Sequence, residues 1–309
     1  MTDSDFVLFT DFRYIEQAKS ECPHVSVIRI RDGYRSLSET VAKFSLHSIA
    51  FEPNQITYGE HKSIEESLSA DVSFTPVTHM VEELRHRKDE LEIETLADAV
   101  RMADSAMAEA ARCLEEGIRE YEVADVIERA LKMAGADGTA FDTIVASGPN
   151  AALPHHKAGG RVISEGDSVV IDMGALYQGY RSDLTRTYFV GDSDRSKYDE
   201  LYSIVLEAQI AAEESARAGM LGSELDGIAR DIIGGYGYDS LFGHGLGHGV
   251  GIDVHELPMV VPSSGDRILP GSVFTIEPGI YVPGWGGVRI EDILVMGDIS
   301  AQVLTLSPK

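Results

Sequence analysis

Two segments of this chain repeat the same arrangement of charged residues. Residues 168–174 (SVVIDMG) and 272–279 (SVFTIEPG) each have the pattern of a buried strand that ends on an acid, Asp172 or Glu277, just before a turn glycine. The strand that follows each segment carries an arginine and, two positions later, a second acid, which is Asp183 or Glu291. This repeat predicts two related β-hairpins that face each other across a pseudo-twofold axis.

The spacing within each hairpin brings its two acids together. A tight turn between positions 177 and 178 would place Asp172 directly opposite Asp183, and a loop centred on Gly284 would place Glu277 opposite Glu291. Opposed side chains on antiparallel strands have Cβ atoms about 5 Å apart. Two buried carboxylates at that separation destabilise each other unless a cation lies between them.

Four carboxylates carry the charge that two divalent cations neutralise. The pattern therefore predicts a dinuclear metal site, in which the ions would lie about 3.5–4 Å apart. The alternative is that the four acids are separate and pair with Arg181, Arg186 and Arg289. Two mirrored acid pairs favour the metal site over the ion pairs.

Histidines supply candidate nitrogen ligands. The glycine-rich segment GHGLGHGVGIDVHE, which begins at position 243, contains His244, His248 and His255. Glycines allow the backbone to approach a ligand closely. A fourth candidate is His155 in the sequence LPHH, with His156 as its neighbouring rival.

In this order, the motifs IDMG, SDLTRT, HGLGH with HE, IEPG and VRIED resemble those of the M24 metallopeptidases, in the group of Xaa-Pro dipeptidases and aminopeptidase P. The resemblance extends from about position 84 to 295 and implies an α+β catalytic domain with the pita-bread fold. The preceding residues resemble a shortened creatinase-type N-terminal domain. We expect a small α/β domain over residues 1–78 and the catalytic domain over residues 79–309.

The same resemblance implies five metal ligands for two ions. They are Asp172, Asp183, His248, Glu277 and Glu291. Asp183 and Glu291 would bridge the ions, Asp172 would complete one site, and the other two ligands would complete the second. Oxygen-rich ligation with one imidazole favours Mn²⁺ or Co²⁺, with Zn²⁺ possible.

The implied reaction is hydrolysis of Xaa-Pro peptide bonds by a hydroxide that bridges the two metals. Glu277 would relay the proton toward the leaving nitrogen, and His255 and His155 would donate hydrogen bonds to the developing oxyanion. His244 and Arg289 match substrate-binding residues. The Arg289 guanidinium would either pair with the free carboxylate of a dipeptide or hold the second bridging acid, and the sequence leaves both roles open.

Two further functions stay open from the sequence. The first is a hydrolase or lyase of the same fold that acts on a small compatible solute such as ectoine. The second is a protein that binds ligands in the cleft without turnover. Methionine aminopeptidases are set aside, because here the last two glutamates lie on one hairpin and a separate N-terminal domain precedes the metal site.

Composition limits the partners. The chain has 26 basic and 51 acidic residues, a net charge of −25, which disfavours nucleic acids and anionic membranes as partners. The excess of acids fits either a salt-adapted host or an ordinary acidic enzyme. No apolar run approaches the roughly 20 residues of a membrane span, so we expect a soluble cytoplasmic protein, and by resemblance a homodimer.

Periodicity predicts the main elements. The first domain should alternate strands at 6–9, 25–30, 49–51 and 72–74 with helices at 11–20, 37–44 and 60–69. A single amphipathic helix is expected over 81–116, with Leu84 and Leu91 on its apolar stripe. Asp32, His47 and His61 are expected at the surface.

Overall fold

The computed structural model describes residues 1–2, 5–31 and 33–309, so Asp32 lies outside the described residues. The chain forms two compact units, Met1–Val81 and Glu82–Lys309. Within the described residues, no helix has both the length and the apolarity needed to cross a membrane.

The first unit alternates strands and helices as the periodicity predicts. Its elements, with the helix that follows them, are β1 (Val7–Thr10), α1 (Ile15–Glu21), β2 (Ser26–Arg29), α2 (Arg35–Lys43), β3 (Ser48–Phe51), α3 (Tyr58–Ser67), β4 (Ser73–Pro76) and α4 (Met80–His86). Strand β1 pairs in parallel with β2, and β3 pairs in parallel with β4. His47 is exposed, as expected, whereas His61 is half-buried because its ring packs against Phe51 and Phe74.

The single helix expected over 81–116 is wrong, because the chain forms two helices there. Helix α4 ends at His86, and α5 (Glu90–Cys113) begins after Asp89. The Asp89 side chain accepts a hydrogen bond from the Glu92 amide over 2.9 Å, and this capping box starts a new helix. Leu84 and Leu91, which were expected on an apolar stripe, are each 72% exposed.

The second unit begins with a pair of helices packed on two small sheets. Its next elements are α6 (Glu120–Ala134), β5 (Gly138–Thr139), β6 (Ile144–Ser147), β7 (Ser168–Met173), β8 (Ala175–Tyr177), β9 (Tyr180–Arg181) and β10 (Leu184–Phe189). A 3₁₀ helix, Gly148–Ala152, follows β6. The sheets have the strand orders β10-β7-β6 and β5-β8-β9. Helices α5 and α6 bury an apolar core against these strands.

The remainder of the chain repeats this plan. Its elements are α7 (Ser196–Ser215), α8 (Gly222–Gly235), β11 (Gly247–Gly249), β12 (Glu256–Val260), β13 (Val273–Ile276), β14 (Gly279–Val282), β15 (Gly286–Arg289), β16 (Asp292–Met296) and β17 (Ala301–Val303), with a 3₁₀ helix at Asp239–Leu241. The larger sheet has the order β12-β11-β13-β16-β17, and β14 pairs with β15. A second apolar core lies between this sheet and α7 and α8.

The strands of the two hairpins are interrupted near the four acids. Gly174 separates β7 from β8, and Asp183 lies in the gap between β9 and β10. Glu277 lies between β13 and β14, and Glu291 lies between β15 and β16. Asp172 itself is paired within β7, whereas the other three acids lie at breaks between strands, where side chains from both halves of the unit can meet.

Candidate metal centre

One cavity of about 580 Å³ contains every site residue that the sequence predicts. The predicted site residues in its lining are His155, Asp172, Asp183, His244, His248, His255, Glu277, Arg289 and Glu291. His156, the rival of His155, also lines it. The structure therefore brings the predicted residues together around one cavity, and their roles stay predictions.

The register of the first hairpin differs from the prediction by two residues. Asp172 pairs with Thr185 rather than with Asp183, because the turn lies at Gln178 and Gly179. Both turn residues have positive φ, 49° and 85°, as expected for a two-residue hairpin turn. A shift of two residues preserves the face of a strand, so Asp183 still projects toward the same side as Asp172.

The second hairpin has the predicted register. Ile276 pairs with Asp292 on one side of the interruption, and Gly279 pairs with Arg289 on the other. Glu277 and Glu291 therefore occupy opposed positions between these two ladders. Gly284, at the centre of the loop, has a φ of 77°.

The acids meet a histidine at the base of the cavity. Asp183, His248 and Glu291 can each offer a ligand atom so that all three atoms lie within 4.8 Å of one another. The Nε2 atom of His248 lies 3.4 Å from Oε1 of Glu277 and 3.7 Å from Oδ2 of Asp183. The other ring nitrogen, Nδ1, donates to the Gly249 carbonyl over 3.0 Å. This backbone bond directs Nε2 toward the acids, an arrangement typical of metal-binding histidines.

The electrostatics of the cluster fit cations. Oδ1 of Asp172 and Oδ1 of Asp183 are buried and have no hydrogen-bond partner among the described residues. Burial raises the pKa of Asp183 and of Glu291 well above the usual range, and neighbouring carboxylates raise both further. Burial also acts on Glu277, but the hydrogen bond and charge of His248 outweigh it and lower the pKa of Glu277. Unpaired carboxylate oxygens with one imidazole form a donor set suited to divalent ions.

Arginine pairing does not replace the metal-site interpretation. Arg186 forms a buried ion pair with Asp292 over 2.7 Å, and the side chain of Arg181 donates to the carbonyl oxygens of Ala140 and Ile252. Arg186 also donates to the backbone carbonyl of Glu291 over 2.7 Å, but of the three arginines in the alternative only Arg289 forms an ion pair with the carboxylate of one of the four acids within the described residues.

Arg289 contacts Asp172 and the strand beside it. Its Nη2 donates to Oδ2 of Asp172 over 2.6 Å, and its Nε donates to Oγ1 of Thr185 over 3.1 Å. The Thr185 hydroxyl in turn donates to Oε2 of Glu291 over 2.7 Å. The guanidinium therefore reaches Glu291 only through Thr185. Thr185 was not among the predicted site residues. It lies two positions after Asp183, on the same face of the strand, and this alternation could have predicted its place in the site.

Besides His248, the predicted histidines that line the cavity are His155, His244 and His255. His255 lies against His248, with ring centroids 4.2 Å apart. The Nδ1 atom of His244 donates to the Gly245 carbonyl over 2.7 Å, and its Nε2 lies 2.8 Å from the Tyr281 hydroxyl. Burial lowers the pKa of His244, so the neutral ring accepts from Tyr281.

The apolar part of the lining was not predicted. Phe141, Ile144, Val254, Met259 and Val261 line the cavity together with the polar residues. They come from two stretches of the chain, 141–144 and 254–261, that lie more than 100 positions apart, and the fold brings them together. The cavity therefore has both a charged base and an apolar wall, a combination typical of small-molecule sites.

Comparison with known families decides what kind of protein has this site. The family model described as metallopeptidase family M24 matches residues 94–298. The chain belongs to metallopeptidase family M24. A second family model, the creatinase/prolidase N-terminal domain, matches residues 1–86.

Curated relatives of this M24 member are named as peptidases. The Xaa-Pro dipeptidase of Pyrococcus horikoshii is 49% identical over 232 residues, which is 75% of this chain and 66% of that protein. An uncharacterized peptidase of Bacillus subtilis is 41% identical over 302 residues, 97% of this chain and 85% of the relative.

Solved structures confirm the predicted fold class. An Xaa-Pro dipeptidase from Bacillus anthracis superposes with a TM-score of 0.96 and 38% identity, covering 100% of this chain and 86% of that one. A prolidase from Pyrococcus furiosus superposes with a TM-score of 0.92 and 40% identity, covering 100% of this chain and 89% of that one. An X-Pro aminopeptidase from Thermotoga maritima superposes with a TM-score of 0.92 and 38% identity, covering 100% of this chain and 85% of that one. These names favour a peptidase over a compatible-solute enzyme.

Proposed function

We propose that this protein hydrolyses Xaa-Pro peptide bonds with the help of two divalent metal ions. The observation that carries the proposal is the convergence of four acids and His248 at the base of one cavity, where two buried carboxylate oxygens have no partner among the described residues. Relatives of 41–49% identity that are named as peptidases support the same reaction class.

Five residues would hold the ions. They are Asp172, Asp183, His248, Glu277 and Glu291, the set that the sequence predicts. When bound, such ions lower the pKa of a coordinated water and polarise the scissile carbonyl. The backbone bond from His248 to Gly249 and the Thr185 bond to Glu291 keep two of these ligands oriented in advance.

Glu277 is the proton carrier in this proposal. Its carboxylate lies within 3.4 Å of His248 and has a lowered pKa, so it is ionised near neutral pH and can accept a proton. It would then deliver that proton to the proline nitrogen, which becomes a secondary amine when the bond breaks. The leaving nitrogen of any peptide bond needs one added proton to depart as an amine, and in an Xaa-Pro bond, which has no N–H, that proton becomes the N–H of the released proline.

His155 and His255 would donate hydrogen bonds to the oxyanion as the carbonyl becomes tetrahedral. His244 and Arg289 are proposed to contact the substrate or to shape the site for it. The side chain of Lys157 lines the same cavity and is 86% exposed. Its ammonium lies 3.3 Å from Oδ2 of the exposed Asp142, a surface pair that a peptide carboxylate can replace at little cost. Lys157 is therefore the cation with the greater freedom to meet a peptide carboxylate, because Arg289 is 3% exposed and holds buried partners.

Substrate length is tested by direct assay. The protein should be stripped with chelator, reloaded with Mn²⁺, Co²⁺ or Zn²⁺, and incubated with Leu-Pro, with Leu-Pro-containing peptides of three to five residues, and with ectoine. Cleavage of the dipeptide alone would identify a dipeptidase, and cleavage of the longer peptides would identify an aminopeptidase. Turnover of ectoine alone, or of nothing with any metal, would contradict the proposal.

Other parts of the proposal rest on the sequence and the resemblance. We propose Mn²⁺ or Co²⁺ as the working ions, a homodimer, a cytoplasmic location and a domain boundary between residues 78 and 79. Light scattering after size-exclusion chromatography measures the oligomer, and a salt series with the Mn²⁺-loaded protein tests adaptation to a saline host. Activity that rises with KCl up to molar concentration would support that adaptation.

A further inference from the structure

We propose that two cavity histidines are positioned by the residues that directly follow them in the chain. His155 would be held through His156 by Glu120, and His255 would be held through Glu256 by Lys88. This inference rests on the proposed function, because it assigns Glu120 and Lys88 as positioning residues for the histidines expected to stabilise the transition state.

Neither histidine is anchored by a hydrogen bond of its own side chain to the described residues. The side chains of His155 and His255 are exposed to the cavity, and neither makes a hydrogen bond within the described part of the chain. The position of the His155 ring therefore depends on its backbone, and that of the His255 ring depends on its backbone and on its contact with the His248 ring, whose centroid lies 4.2 Å away. Both backbones belong to loops. Catalytic hydrogen bonds need placement to within a fraction of an ångström, so something else must fix these loops.

Glu120 fixes the first loop. This residue begins α6 and is fully buried. Its Oε1 accepts from the amide and hydroxyl of Ser147 over 2.9 and 2.7 Å and from Nδ2 of Asn150 over 2.9 Å. Its Oε2 accepts from the Gly159 amide over 3.2 Å and lies 2.9 Å from Nε2 of His156.

These contacts lie on both sides of His155 in the sequence. One carboxylate oxygen holds the chain at Ser147 and Asn150, and the other holds it at His156 and Gly159, so the turn that carries His155 is closed at its base. A buried carboxylate that loses its donors costs several kcal/mol. The loop therefore cannot move far without a large loss of free energy.

Lys88 fixes the second loop. Lys88 directly precedes the residue that caps α5, and its side chain is buried. Its ammonium contacts Oε2 of Glu256 over 2.8 Å. The other oxygen of Glu256 accepts from the amide of Asp253 over 2.9 Å and from the Arg85 guanidinium. The Glu256 side chain is 5% exposed. His255 is thus held between a buried ion pair on one side and a turn closed at Asp253 on the other.

The two anchors have a common design with different charges. In each, a charged side chain at or near the start of a helix holds the residue after a histidine, while the histidine itself points into the cavity. The anchors act on separate loops, and each therefore serves as the control for the other.

A double-mutant cycle tests the assignment. Glu120→Gln should lower kcat/KM for a Leu-Pro substrate by about tenfold or more in the wild-type background, and by less than twofold when His155 is already Ala. In a His255→Ala background, Glu120→Gln should keep its full effect. Glu256→Gln should show the reverse pattern, because residues that act through one group are not additive. Equal losses in all backgrounds would overturn the proposal.

A second readout separates this inference from the proposed reaction. Histidine side-chain ¹⁵N resonances should move at position 155 in Glu120→Gln and at position 255 in Glu256→Gln, with the other histidine unchanged. If the wild-type protein fails to cleave Xaa-Pro peptides, the proposed function is wrong while these spectra still test the anchors. Should Glu120→Gln fail to fold, His156→Gln tests the link between Glu120 and the first loop, because the His156 side chain is 17% exposed and its replacement is better tolerated. Lys88→Met tests the link between Lys88 and the second loop. Spectra without selective shifts would contradict the anchoring.

Discussion

Arg289 donates from Nη2 to Oδ2 of Asp172 over 2.6 Å, and both side chains are largely excluded from solvent, with 3% and 13% exposed. The guanidinium also donates to the hydroxyls of Tyr281 and Thr185 over 2.9 and 3.1 Å. Each of the three guanidinium nitrogens of Arg289 thus donates a hydrogen bond within the site. Arg289 orients one acid directly and a second, Glu291, through Thr185.

Replacing Arg289 by Lys should therefore impair catalysis on every substrate length. Lysine keeps the charge but cannot contact Asp172, Thr185 and Tyr281 at the same time. We expect kcat to fall by roughly 100-fold, as for a misplaced catalytic group, with similar factors for Leu-Pro and Leu-Pro-Gly. A rise of KM confined to the dipeptide would instead indicate that Arg289 binds the substrate carboxylate.

Removing one acid should stabilise the metal-free protein. Asp183 is buried beside other carboxylates, so Asp183→Asn should raise the free energy of unfolding without metal by about 1 kcal/mol or more. The same variant should lose the stabilisation that bound metal gives the wild type, about 2.7 kcal/mol at a hundredfold excess over Kd. Chemical denaturation with and without Mn²⁺ measures both effects.

Asp292→Asn is the matched control for that experiment. Asp292 is equally buried but pairs with Arg186 over 2.7 Å. Its neutral replacement should destabilise the protein by about 3–5 kcal/mol with or without metal, because the buried Arg186 loses its carboxylate partner and Lys309 loses one of its two. Destabilisation of the metal-free protein by Asp183→Asn would contradict the idea that the acids repel one another.

Glu213 gives stability a pH dependence away from the metal centre. One ammonium, that of Lys309, lies 2.8 Å from Glu213 and 2.7 Å from Asp292. Burial raises the pKa of Glu213 from 4.5 to about 7; the bond to Lys309 opposes this shift and the charge of Asp292 adds to it.

Because the folded protein holds this proton more tightly than the unfolded chain, the contribution of Glu213 is favourable below pH 4.5 and is lost as the pH rises to about 7. Glu213→Gln should flatten the profile in this window and stabilise the protein at pH 8 by roughly 1–3 kcal/mol. Urea denaturation of both proteins from pH 4 to pH 8 measures the difference. Parallel profiles would refute the assignment.

Gly174 permits the close crossing of strands between Asp172 and Asp183. A Cβ at this position would collide with the Ser182 carbonyl oxygen and lie 2.8 Å from Cβ of Ala140. Gly174→Ala should destabilise the fold by about 1–3 kcal/mol and weaken metal binding, because Ser182 directly precedes a ligand. Gly227→Ala is the control: the position lies in α8 with open space around it, so alanine should be neutral or stabilising. Equal thermal stability of the two variants would contradict the crowding argument.

The positions of the four acids and of His248 around one cavity could be predicted from the sequence better than the surroundings of that cavity. Short-range alternation sets the face of each acid, and for this reason a two-residue error in the partner of Asp172 left the site intact. The symmetric spacing of Glu277 and Glu291 about Gly284 was sufficient to predict their opposition. The catalytic fold followed from motif order rather than from periodicity.

Other features depend on contacts between distant parts of the chain. The break between α4 and α5 needed the Asp89 cap to override a continuous helical pattern. The hydrogen bonds of Glu120 to Ser147, His156 and Gly159 span 27 to 39 positions, and no local pattern predicts them. Features of this kind require the folded structure because their partners are set by packing.

Metal content and position test the central claim most directly. Metal-free protein should be titrated with Mn²⁺ by calorimetry, the bound metal measured by elemental analysis, and the ions located by anomalous scattering in crystals. We predict two ions per chain, about 3.5–4 Å apart, in contact with Asp172, Asp183, His248, Glu277 and Glu291. No bound ion at saturation, or ions located away from these side chains, would contradict the claim that the acids of the two hairpins form a dinuclear metal centre.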